Sequence, residues 1–501
     1  MYRKISYIFL NIYLFLGFVN YAYSQDKNNT STIAINNKLE LMKNTPQLKN
    51  ATWGFCAIDC TTGNTIAEYN SNIGLVPASI LKIVTTTASL YILGSDFKFL
   101  TKLQYTGHIN EEGVLNGNLY ITGGGDPTLC SDFLPNTIED SIFYKFYLAL
   151  LSSNIKQING NIIGDESIFN WENRIPESWN WEDIGNYYGA GPCGLSYNNN
   201  LYKIYLDAGN SIGAPTYINN IKPDIPNIFL INKVKTAAKN TKDNVIIYCS
   251  PLADTLCVLT GTIPLGKNSV EVKGANPDPS LTLSIKFYKY LLNKGIKING
   301  KPITSKIMDI KNIIDTLNKK DIYTLYSPPI TSIISRINTA SDNTYAETLL
   351  YMCGLKKGFS PDSKGGILAI KNYWISKGIN LNGLKMFDGS GLSRKNYITP
   401  NQLALMLYTY TKEPYYTVFY NSLPIAGKTG TIKNMFKNSI AENNLRAKSG
   451  NMDGIFSLAG YVTNKSSKKI TFTIIINNYS GTIKEIKKIA EDLLILLANS
   501  Y

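Results

Sequence analysis

The feature that most constrains the fold is a long strand-rich stretch between two helical segments. About 260 residues separate Lys82, in a predicted helix, from Ser341, in a predicted helix–turn–helix. Short apolar segments separated by Gly and Asn predict strands and turns: FLTKLQYTG, LNGNLYITG, INGNIIGDE, NNLYKIYLD and DNVIIYCS. We therefore expect two small β-rich domains, one nested inside the other, inserted into a domain whose two halves flank them.

The N-terminal segment has the layout of a cleavable secretory signal. Basic Arg3 and Lys4 precede an apolar run from Ile5 to Val19, and small residues follow the run. A retained membrane anchor is the alternative, but the run is shorter than the roughly 20 apolar residues of a spanning helix. We predict that residues 1–24 are removed and that the protein works in the periplasm.

Composition favours a large globular protein with a basic surface. The chain has 501 residues, 44% of them hydrophobic, and a formal net charge of +14. The bases are scattered among Asn, Ile and Tyr without a consecutive run, so we expect a solvated basic surface and no nucleic-acid groove.

Cysteine and histidine usage excludes several reaction classes. The seven cysteines are irregularly spaced, and Cys56 and Cys60 on one strand face would lie about 13 Å apart, too far to bridge. There is no C-x-x-C pair, and His108, in a predicted hairpin turn, is the only histidine. We therefore expect no metal and no Ser-His-Asp triad, which leaves lysine as the base for a nucleophilic serine.

The stretch VPASILKIVTTTASLYILG predicts a helix from near Pro77 to about Ile92. Ser79 and Lys82 are three residues apart and share one helix face. Burial or a nearby cation would lower the lysine pKa from about 10.4 and let the amine take the serine proton. Because Ser-x-x-Lys is common by chance, an ordinary helix start with a surface lysine is the alternative.

A second candidate lies in SPPITSIISRINTASDNTYAETLLYMCG. Isoleucines at helical spacing predict a helix that ends near Asn338, and a turn precedes a second helix from Thr344. Ser341 and Asn343 then project from a tight loop, where a hydroxyl can relay a proton and an amide can bind substrate. Alternatively, Ser341 simply caps the second helix.

Two basic triplets are candidates for the third part of the site, which requires a cation and a hydroxyl at the edge of a sheet. LRAKSGNMDGIFSLAGYVTNKSSKKITFTIIINN predicts three strands joined by turns, so Lys448-Ser449-Gly450 has this setting. Lys428-Thr429-Gly430 lies in LPIAGKTGTIKNMFKNSI, a segment bounded by Pro and Gly that predicts a loop. We expect the second triplet, and not the first, to belong to the site.

In this order, S-x-x-K, S-D-N and K-[TS]-G resemble the motif set of penicillin-binding proteins and serine β-lactamases. The chain is most similar to class C, type 4 penicillin-binding proteins, the D-alanyl-D-alanine carboxypeptidase/endopeptidase family S13. The resemblance covers nearly the whole mature chain and includes LYITGGGDPTL, WNWEDIGNYYGAGPCGLSYNNN, SPPI, FDGSGLSRKNYITP and LPIAG. Ser449 replaces the usual threonine, which keeps the hydroxyl and loses a methyl group.

The resemblance implies an α/β (α+β) fold of the penicillin-binding and serine β-lactamase type. An antiparallel sheet would be flanked by helices, with a helical subdomain that carries Ser79 and Ser341. The last helix, with apolar residues at i, i+3 and i+4 spacing, would pack on the sheet, although an amphipathic membrane anchor is the alternative. We place the catalytic domain at residues 25–100 and 320–501, inserted domain II at 101–125 and 225–319, and inserted domain III at 126–224.

The resemblance also implies a serine D-Ala-D-Ala carboxypeptidase or DD-endopeptidase that acts on peptidoglycan stem peptides and is inhibited by β-lactams. The implied catalytic residues are Ser79, Lys82, Ser341, Asn343 and Lys448. The implied substrate-binding residues are Ser449, Gly450, Asp183 and Arg394. The last two would bind the free end of a diaminopimelate side chain, although each could be an ordinary helix-terminal or surface residue.

Two other functions stay open at this point. A serine β-lactamase would need a water-activating base near Ser79, and no matching loop is evident. A non-catalytic peptidoglycan-binding protein would be expected to have lost at least one motif. We expect no cofactor, whereas the oligomeric state and any peripheral association with the membrane or the cell wall are left open.

Overall fold

The computed structural model describes residues 31–135, 137–249 and 255–501. The predicted signal at residues 1–24 lies outside them. Within these ranges, no helix combines the length and the apolar character needed to cross a membrane.

The strands, numbered in chain order, are β1 (Thr52–Asp59), β2 (Thr65–Tyr69), β3 (Leu100–Tyr105), β4 (His108–Ile109), β5 (Val114–Asn116), β6 (Leu119–Thr122), β7 (Gln157–Ile158), β8 (Ile162–Asp165), β9 (Leu201–Asp207), β10 (Tyr217–Lys222), β11 (Phe229–Asn232), β12 (Lys235–Ala237), β13 (Ile246–Cys249), β14 (Leu256–Thr260), β15 (Thr262–Pro264), β16 (Val270–Ala275), β17 (Lys297–Ile298), β18 (Pro302–Thr304), β19 (Lys320–Tyr326), β20 (Arg446–Met452), β21 (Ile455–Thr463) and β22 (Lys469–Asn477).

The helices are α1 (31–43), α2 (Leu81–Leu93), α3 (Glu139–Ser152), α4 (Trp181–Ile184), α5 (Pro279–Asn293), α6 (Ser305–Ile310), α7 (Ile330–Ala340), α8 (Asn343–Lys356), α9 (Ser363–Ser376), α10 (Pro400–Tyr410), α11 (Tyr416–Ser422) and α12 (Ile483–Ala498). A short 3-10 turn, Ala78–Ile80, leads directly into α2.

A five-stranded antiparallel sheet joins the two ends of the described chain. Its strand order is β2-β1-β22-β21-β20, and β1 pairs with β22 along its whole length. Of the strands in this sheet, β20 pairs only with β21, so it forms an edge, although an isolated bridge joins Arg446 to Ile425 on its other side. The site triplet predicted from the sequence therefore lies on an edge strand.

Alternate side chains of the sheet face two opposite layers of helices. On β22, Phe472 and Ile474 pack with α1 and α12, whereas Ile475 joins the core formed by α2, α7, α8, α9 and α10. The last helix buries Leu493 and Leu497 in the first layer. It is therefore a core element of the domain, as predicted.

An outer insertion comprises residues 100–165 and 276–326. Two sheets, β18-β8-β6-β3-β19 and β17-β7-β5-β4, share one apolar core with α3 and α5. The pairs β6 with β8 and β5 with β7 are parallel, and α3 connects these strands. His108, predicted in a hairpin turn, is the exposed first residue of β4.

An inner insertion, residues 201–275, has its own core. It contains the sheets β10-β9-β16 and β11-β14-β13 and the pair β12-β15. Cys249 and Cys257 form a disulfide across β13 and β14. Cys56 and Cys60 are both free thiols, as expected from their spacing.

The limits of the outer and inner insertions differ from the limits predicted from the sequence for the two inserted domains. The predicted inner domain, 126–224, contains β7 and β8, which pair with strands of the outer insertion. The predicted outer segment, 225–319, contains β11 to β16, which belong to the inner core. The predicted catalytic segment, 320–501, begins with β19, which pairs with β3 in the outer insertion. The physical reason is that the outer insertion uses parallel pairing across a helix, and short strands with turns between them resemble a run of hairpins.

Candidate active site

Ser79 lies in the 3-10 turn at the start of α2. The preceding residue, Ala78, has a φ of +48°, a left-handed conformation that side chains other than glycine adopt rarely. The hydroxyl of Ser457 on β21 donates a hydrogen bond of 2.6 Å to the carbonyl of Pro77. The sheet thus holds the turn in a fixed position and leaves Ser79 partly exposed.

The ammonium group of Lys82 is fully buried and has three acceptors. Its Nζ lies 3.0 Å from Ser79 Oγ, 2.6 Å from Asn343 Oδ1 and 2.7 Å from the carbonyl oxygen of Ser390. The predicted helix-face pair therefore forms a direct hydrogen bond, and the helix–turn–helix loop completes the site around the lysine.

Burial lowers the pKa of Lys82 to about 8, while the negative charges of Asp388, Glu347 and Asp342 act in the opposite direction. A neutral amine, which can accept a proton, is therefore accessible near neutral pH.

Ser341 ends α7 in the left-handed conformation, with φ of 62° and ψ of 39°. Asp342, and not Ser341, caps α8, because its carboxylate accepts from the backbone N–H of Tyr345 at 3.3 Å. The alternative that Ser341 caps the second helix is therefore wrong. Its hydroxyl instead accepts a hydrogen bond of 2.9 Å from Lys448 Nζ.

Lys448 is fully buried on β20. Besides Ser341, its ammonium group donates to the backbone carbonyl of Ser449 at 2.6 Å. Burial and, second, the charge of Lys82 hold the pKa of Lys448 well below its usual range. The charge of Lys82 therefore disfavours the charged form of Lys448.

Gly450 allows β20 to approach the serine turn closely. A Cβ atom at this position would lie 2.9 Å from the backbone nitrogen of Ser79 and 2.8 Å from the carbonyl oxygen of Pro77. Any larger residue would force the strand away from Ser79. The third residue of the triplet is thus required by close packing.

A cleft of about 480 Å³ opens beside Ser79 and is also lined by Ser341, Asn343, Asp183 and Arg394. Burial and the charge of Glu182 raise the pKa of Asp183, and the charge of Arg394 lowers it. The structure therefore brings the two predicted side-chain ligands into the same cleft as the nucleophile candidate.

Arg394 extends toward the turn between β20 and β21. Its Nη1 and Nη2 each donate to the carbonyl oxygen of Asp453 at 3.2 Å.

The first basic triplet lies in a loop, as predicted, and the side chain of Lys428 is exposed.

Sequence reasoning missed a buried carboxylate on α8. Glu347 accepts hydrogen bonds from the backbone N–H groups of Gly389, at 3.0 and 2.9 Å, and of Ser390, at 2.7 Å. The carbonyl oxygen of Ser390 in turn accepts from Lys82. Burial and the charge of Asp388 raise the pKa of Glu347 to about 8. The available signal was an acidic residue among the apolar side chains of a helix.

A second missed carboxylate, Asp388, belongs to the FDGSGLS stretch. It accepts from the backbone N–H of Gly391 at 2.9 Å, the side chain of Asn396 at 2.7 Å and the indole N–H of Trp179 at 2.9 Å. These contacts fix the loop that carries Ser390, so Asp388 supports the lysine site indirectly.

Backbone groups before the inner insertion also reach the site. The side-chain nitrogen of Asn343 donates to the carbonyl of Tyr188 at 2.7 Å, and the hydroxyl of Thr344 donates to the carbonyl of Ala190 at 2.7 Å. No local sequence signal identifies backbone acceptors of this kind.

Comparisons with known proteins found similar sequences along nearly the whole chain. The model of the "D-Ala-D-Ala carboxypeptidase 3 (S13) family" matches residues 35–499. The chain is 28% identical over 466 residues to D-alanyl-D-alanine carboxypeptidase DacB of Haemophilus influenzae, and the match covers 90% of each chain. It is also 28% identical over 477 residues to penicillin-sensitive carboxypeptidase A of Dictyostelium discoideum, covering 89% of this chain and 87% of the relative.

The fold is similar to that of a solved structure. Penicillin-binding protein 4 (dacB) from Haemophilus influenzae superposes with a TM-score of 0.78 and 25% sequence identity. The match covers 92% of this chain and 99% of that chain. The mixed α/β architecture, with its insertions, is therefore shared along nearly the whole length.

Proposed function

The chain belongs to the D-Ala-D-Ala carboxypeptidase 3 (S13) family, whose members are serine hydrolases, and we propose that it releases D-alanine from peptidoglycan stem peptides through an acyl-enzyme on Ser79. One observation carries this proposal. Lys82 Nζ lies within hydrogen-bond distance of Ser79 Oγ and Asn343 Oδ1, next to an open cleft.

In the first step, Ser79 Oγ attacks the carbonyl carbon of the penultimate D-alanine while neutral Lys82 takes the hydroxyl proton. The developing oxyanion is held by the backbone N–H of Ser79 and by that of a β20 residue after Gly450. The close approach of β20 to the turn at Ser79 supports this geometry.

In the second half of acylation, the leaving D-alanine needs a proton. Ser341 passes its hydroxyl proton to the amine nitrogen and takes a proton in return from the Lys448 ammonium group, which donates a hydrogen bond to its oxygen. Lys448 and Ser449 bind the terminal carboxylate, whose charge raises the lowered pKa of the buried lysine. Asn343 orients the substrate amide, and water then attacks the ester and releases Ser79.

A β-lactam would acylate the same serine, because its strained amide occupies the place of the D-Ala-D-Ala amide. The name of the Dictyostelium relative, a penicillin-sensitive carboxypeptidase, supports this part of the proposal. We further propose that the protein is exported to the periplasm, where its peptidoglycan substrate lies. The basic predicted signal segment supports this location.

Asp183 and Arg394 are proposed to bind the free end of the diaminopimelate side chain in the stem peptide. A diaminopimelate side chain ends in an ammonium and a carboxylate on one carbon, which require one partner of each sign. Asp183 and Arg394 supply the two signs in the cleft that contains Ser79.

The test is digestion of purified peptidoglycan by wild type and by Ser79→Ala, with the muropeptides resolved by mass. We expect wild type to remove one D-alanine from pentapeptides and Ser79→Ala to remove none. Loss of crosslinked dimers in the same digest would show that the protein also has endopeptidase activity. Equal D-alanine release by both proteins would contradict the proposed nucleophile.

Turnover of a chromogenic cephalosporin separates this function from that of a β-lactamase. We expect a single stoichiometric burst followed by a stall, because a peptidase lacks an efficient route to hydrolyse the penicilloyl-type ester. Sustained turnover would instead support the β-lactamase alternative.

A further inference from the structure

The hydroxyl of Ser449 contacts a residue from the loop that carries the first basic triplet. Ser449 Oγ donates a hydrogen bond of 2.6 Å to Thr431 Oγ1. Thr431 lies in the 3-10 turn Gly430–Ile432, three residues after Lys428. Lys428 has no role in the proposed site, but its loop thus reaches the proposed carboxylate site through the side chain of Thr431.

Hydrogen bonds to β20 and to the segment before it hold this loop in place. The backbone N–H of Ala426 donates to the carbonyl of Leu445 at 2.9 Å, and the N–H of Ala447 donates to the carbonyl of Pro424 at 3.1 Å. Inside the loop, Thr429 Oγ1 accepts from the N–H of Ile425 at 2.9 Å. Thr431 is therefore presented to Ser449 by a loop with a defined conformation.

Serine at position 449 needs an outside partner that threonine would not need. The β-branched side chain of threonine restricts its own χ1 angle, whereas serine can place its hydroxyl in any of three staggered positions. Only a rotamer that faces the cleft can present the hydroxyl to a carboxylate. In the free protein, the Ser449 side chain adopts the rotamer that contacts Thr431, at an exposed position.

We propose that Thr431 is a positioning residue that fixes the Ser449 hydroxyl for binding the terminal carboxylate of the substrate, and so replaces the missing methyl group of a threonine. This inference rests on the proposed carboxylate-binding role of Lys448 and Ser449. When the carboxylate binds, it accepts a hydrogen bond from the Ser449 hydroxyl, and the Thr431 hydroxyl becomes the donor to Ser449 Oγ. The oxygen–oxygen contact is kept in both states.

The test compares Thr431→Val in two backgrounds, wild type and Ser449→Thr. The measurements are the second-order rate constant for acylation of Ser79 by a fluorescent penicillin, whose carboxylate stands for that of the peptide, and KM and kcat for a D-Ala-D-Ala peptide. In the wild-type background we expect the acylation rate constant and kcat/KM to fall by about 3- to 10-fold, because one rotamer preference and one hydrogen bond disappear. The fall in kcat/KM should come mainly from a higher KM. In the Ser449→Thr background we expect a change below about 2-fold, since the methyl group restricts χ1.

Thr429→Val is the matched control. Its hydroxyl stabilises the same loop but bonds to Ile425 and not to Ser449. Any effect of loosening the loop should therefore be the same in both backgrounds. A background-dependent loss for Thr431→Val, beside a background-independent one for Thr429→Val, supports positioning of Ser449.

Two results would overturn the inference: an equal loss for Thr431→Val in both backgrounds, or no loss in the wild-type background. Both are distinguishable from failure of the proposed function. If penicillin does not label Ser79 in wild type, the proposed function fails and this inference fails with it. If labelling is normal but the background dependence is missing, only the inference fails.

Discussion

At the scale of single residues, the site depends on two lysines that the fold has removed from water. Lys82 and Lys448 are both fully buried, and both have lowered pKa values. Three oxygen acceptors surround Lys82, so the protein stabilises its position without fixing its charge. A buried amine with a pKa near 8 can act as a base, which an exposed lysine with a pKa near 10.4 cannot do efficiently.

The first prediction concerns pH. Lys82 accepts the Ser79 proton only when neutral, and its neutral fraction grows as pH rises through about 8. The rate constant for acylation by penicillin should therefore increase between about pH 6 and pH 9 and level off above the pKa. A rate that stays constant over this interval would contradict a titrating base.

Lys82→Arg is the companion variant for this prediction. Arginine keeps the positive charge and the hydrogen bonds but does not deprotonate in proteins. We expect acylation to fall by at least about 100-fold, the scale of general-base catalysis. Acylation at the wild-type rate would show that the amine does not take the proton.

At the scale of elements, α8 supplies more than Asn343. One turn further along, Glu347 holds the 389–390 backbone through three hydrogen bonds, and that backbone holds Lys82. The loop packs closely on the helix, since a Cβ on Gly389 would lie 3.0 Å from Leu350 Cβ. One helix therefore positions the lysine from two directions.

The second prediction concerns Glu347. Glu347→Ala leaves buried N–H groups of Gly389 and Ser390 without an acceptor, at about 1–3 kcal/mol for each group. Glu347→Gln keeps one carbonyl acceptor. We expect the free energy of unfolding and the penicillin acylation rate to decrease in the order wild type, Glu347→Gln, Glu347→Ala.

The control for this series is Glu177→Gln, which removes an exposed carboxylate paired with Lys364. An exposed ion pair contributes about 0–1 kcal/mol to stability, so the free energy of unfolding should change little. If Glu347→Ala behaves like Glu177→Gln, α8 does not position the lysine through this carboxylate.

At the scale of the whole molecule, the candidate catalytic residues and Asp183 lie in different parts of the chain. Ser79, Lys82 and Lys448 belong to the domain built on the five-stranded sheet, whereas Asp183 lies on α4, between the outer and inner insertions. The carbonyl of Tyr188 in the same region binds Asn343. The segment between the outer and inner insertions thus directly contacts Asn343, a candidate catalytic residue.

The third prediction follows from this division. Asp183→Asn should lower kcat/KM for a peptide with a free diaminopimelate side chain by about 10-fold, because the ammonium loses a charged partner. The same variant should leave the rate of acylation by penicillin nearly unchanged.

A peptide with an acetylated diaminopimelate amine is the matched substrate control, and it should be cleaved at similar rates by wild type and Asp183→Asn. Equal losses for the free and acetylated peptides would contradict the proposed side-chain pocket.

Local patterns in the sequence were sufficient for the elements that carry the motifs. Helical spacing placed Ser79 beside Lys82, and turn residues placed Ser341 between two helices. The strand pattern put Lys448 on a strand, and the bounding Pro and Gly residues put Lys428 in a loop. Each of these predictions depends on residues close together in the chain, where periodicity and turn chemistry act directly.

The sequence by itself therefore determined the family, the fold class and the identity of the motif residues. Only the tertiary structure decided the limits of the insertions, the hydrogen bonds between buried Glu347 and the backbone at 389–390, and the contact between Thr431 and Ser449. These features join residues that are far apart in the chain. The hydrogen bonds of Glu347 exist because buried polar groups must find partners wherever packing brings them, and no short-range pattern specifies those partners. The contact between Thr431 and Ser449 is exposed, and it depends on the packing of its loop beside β20.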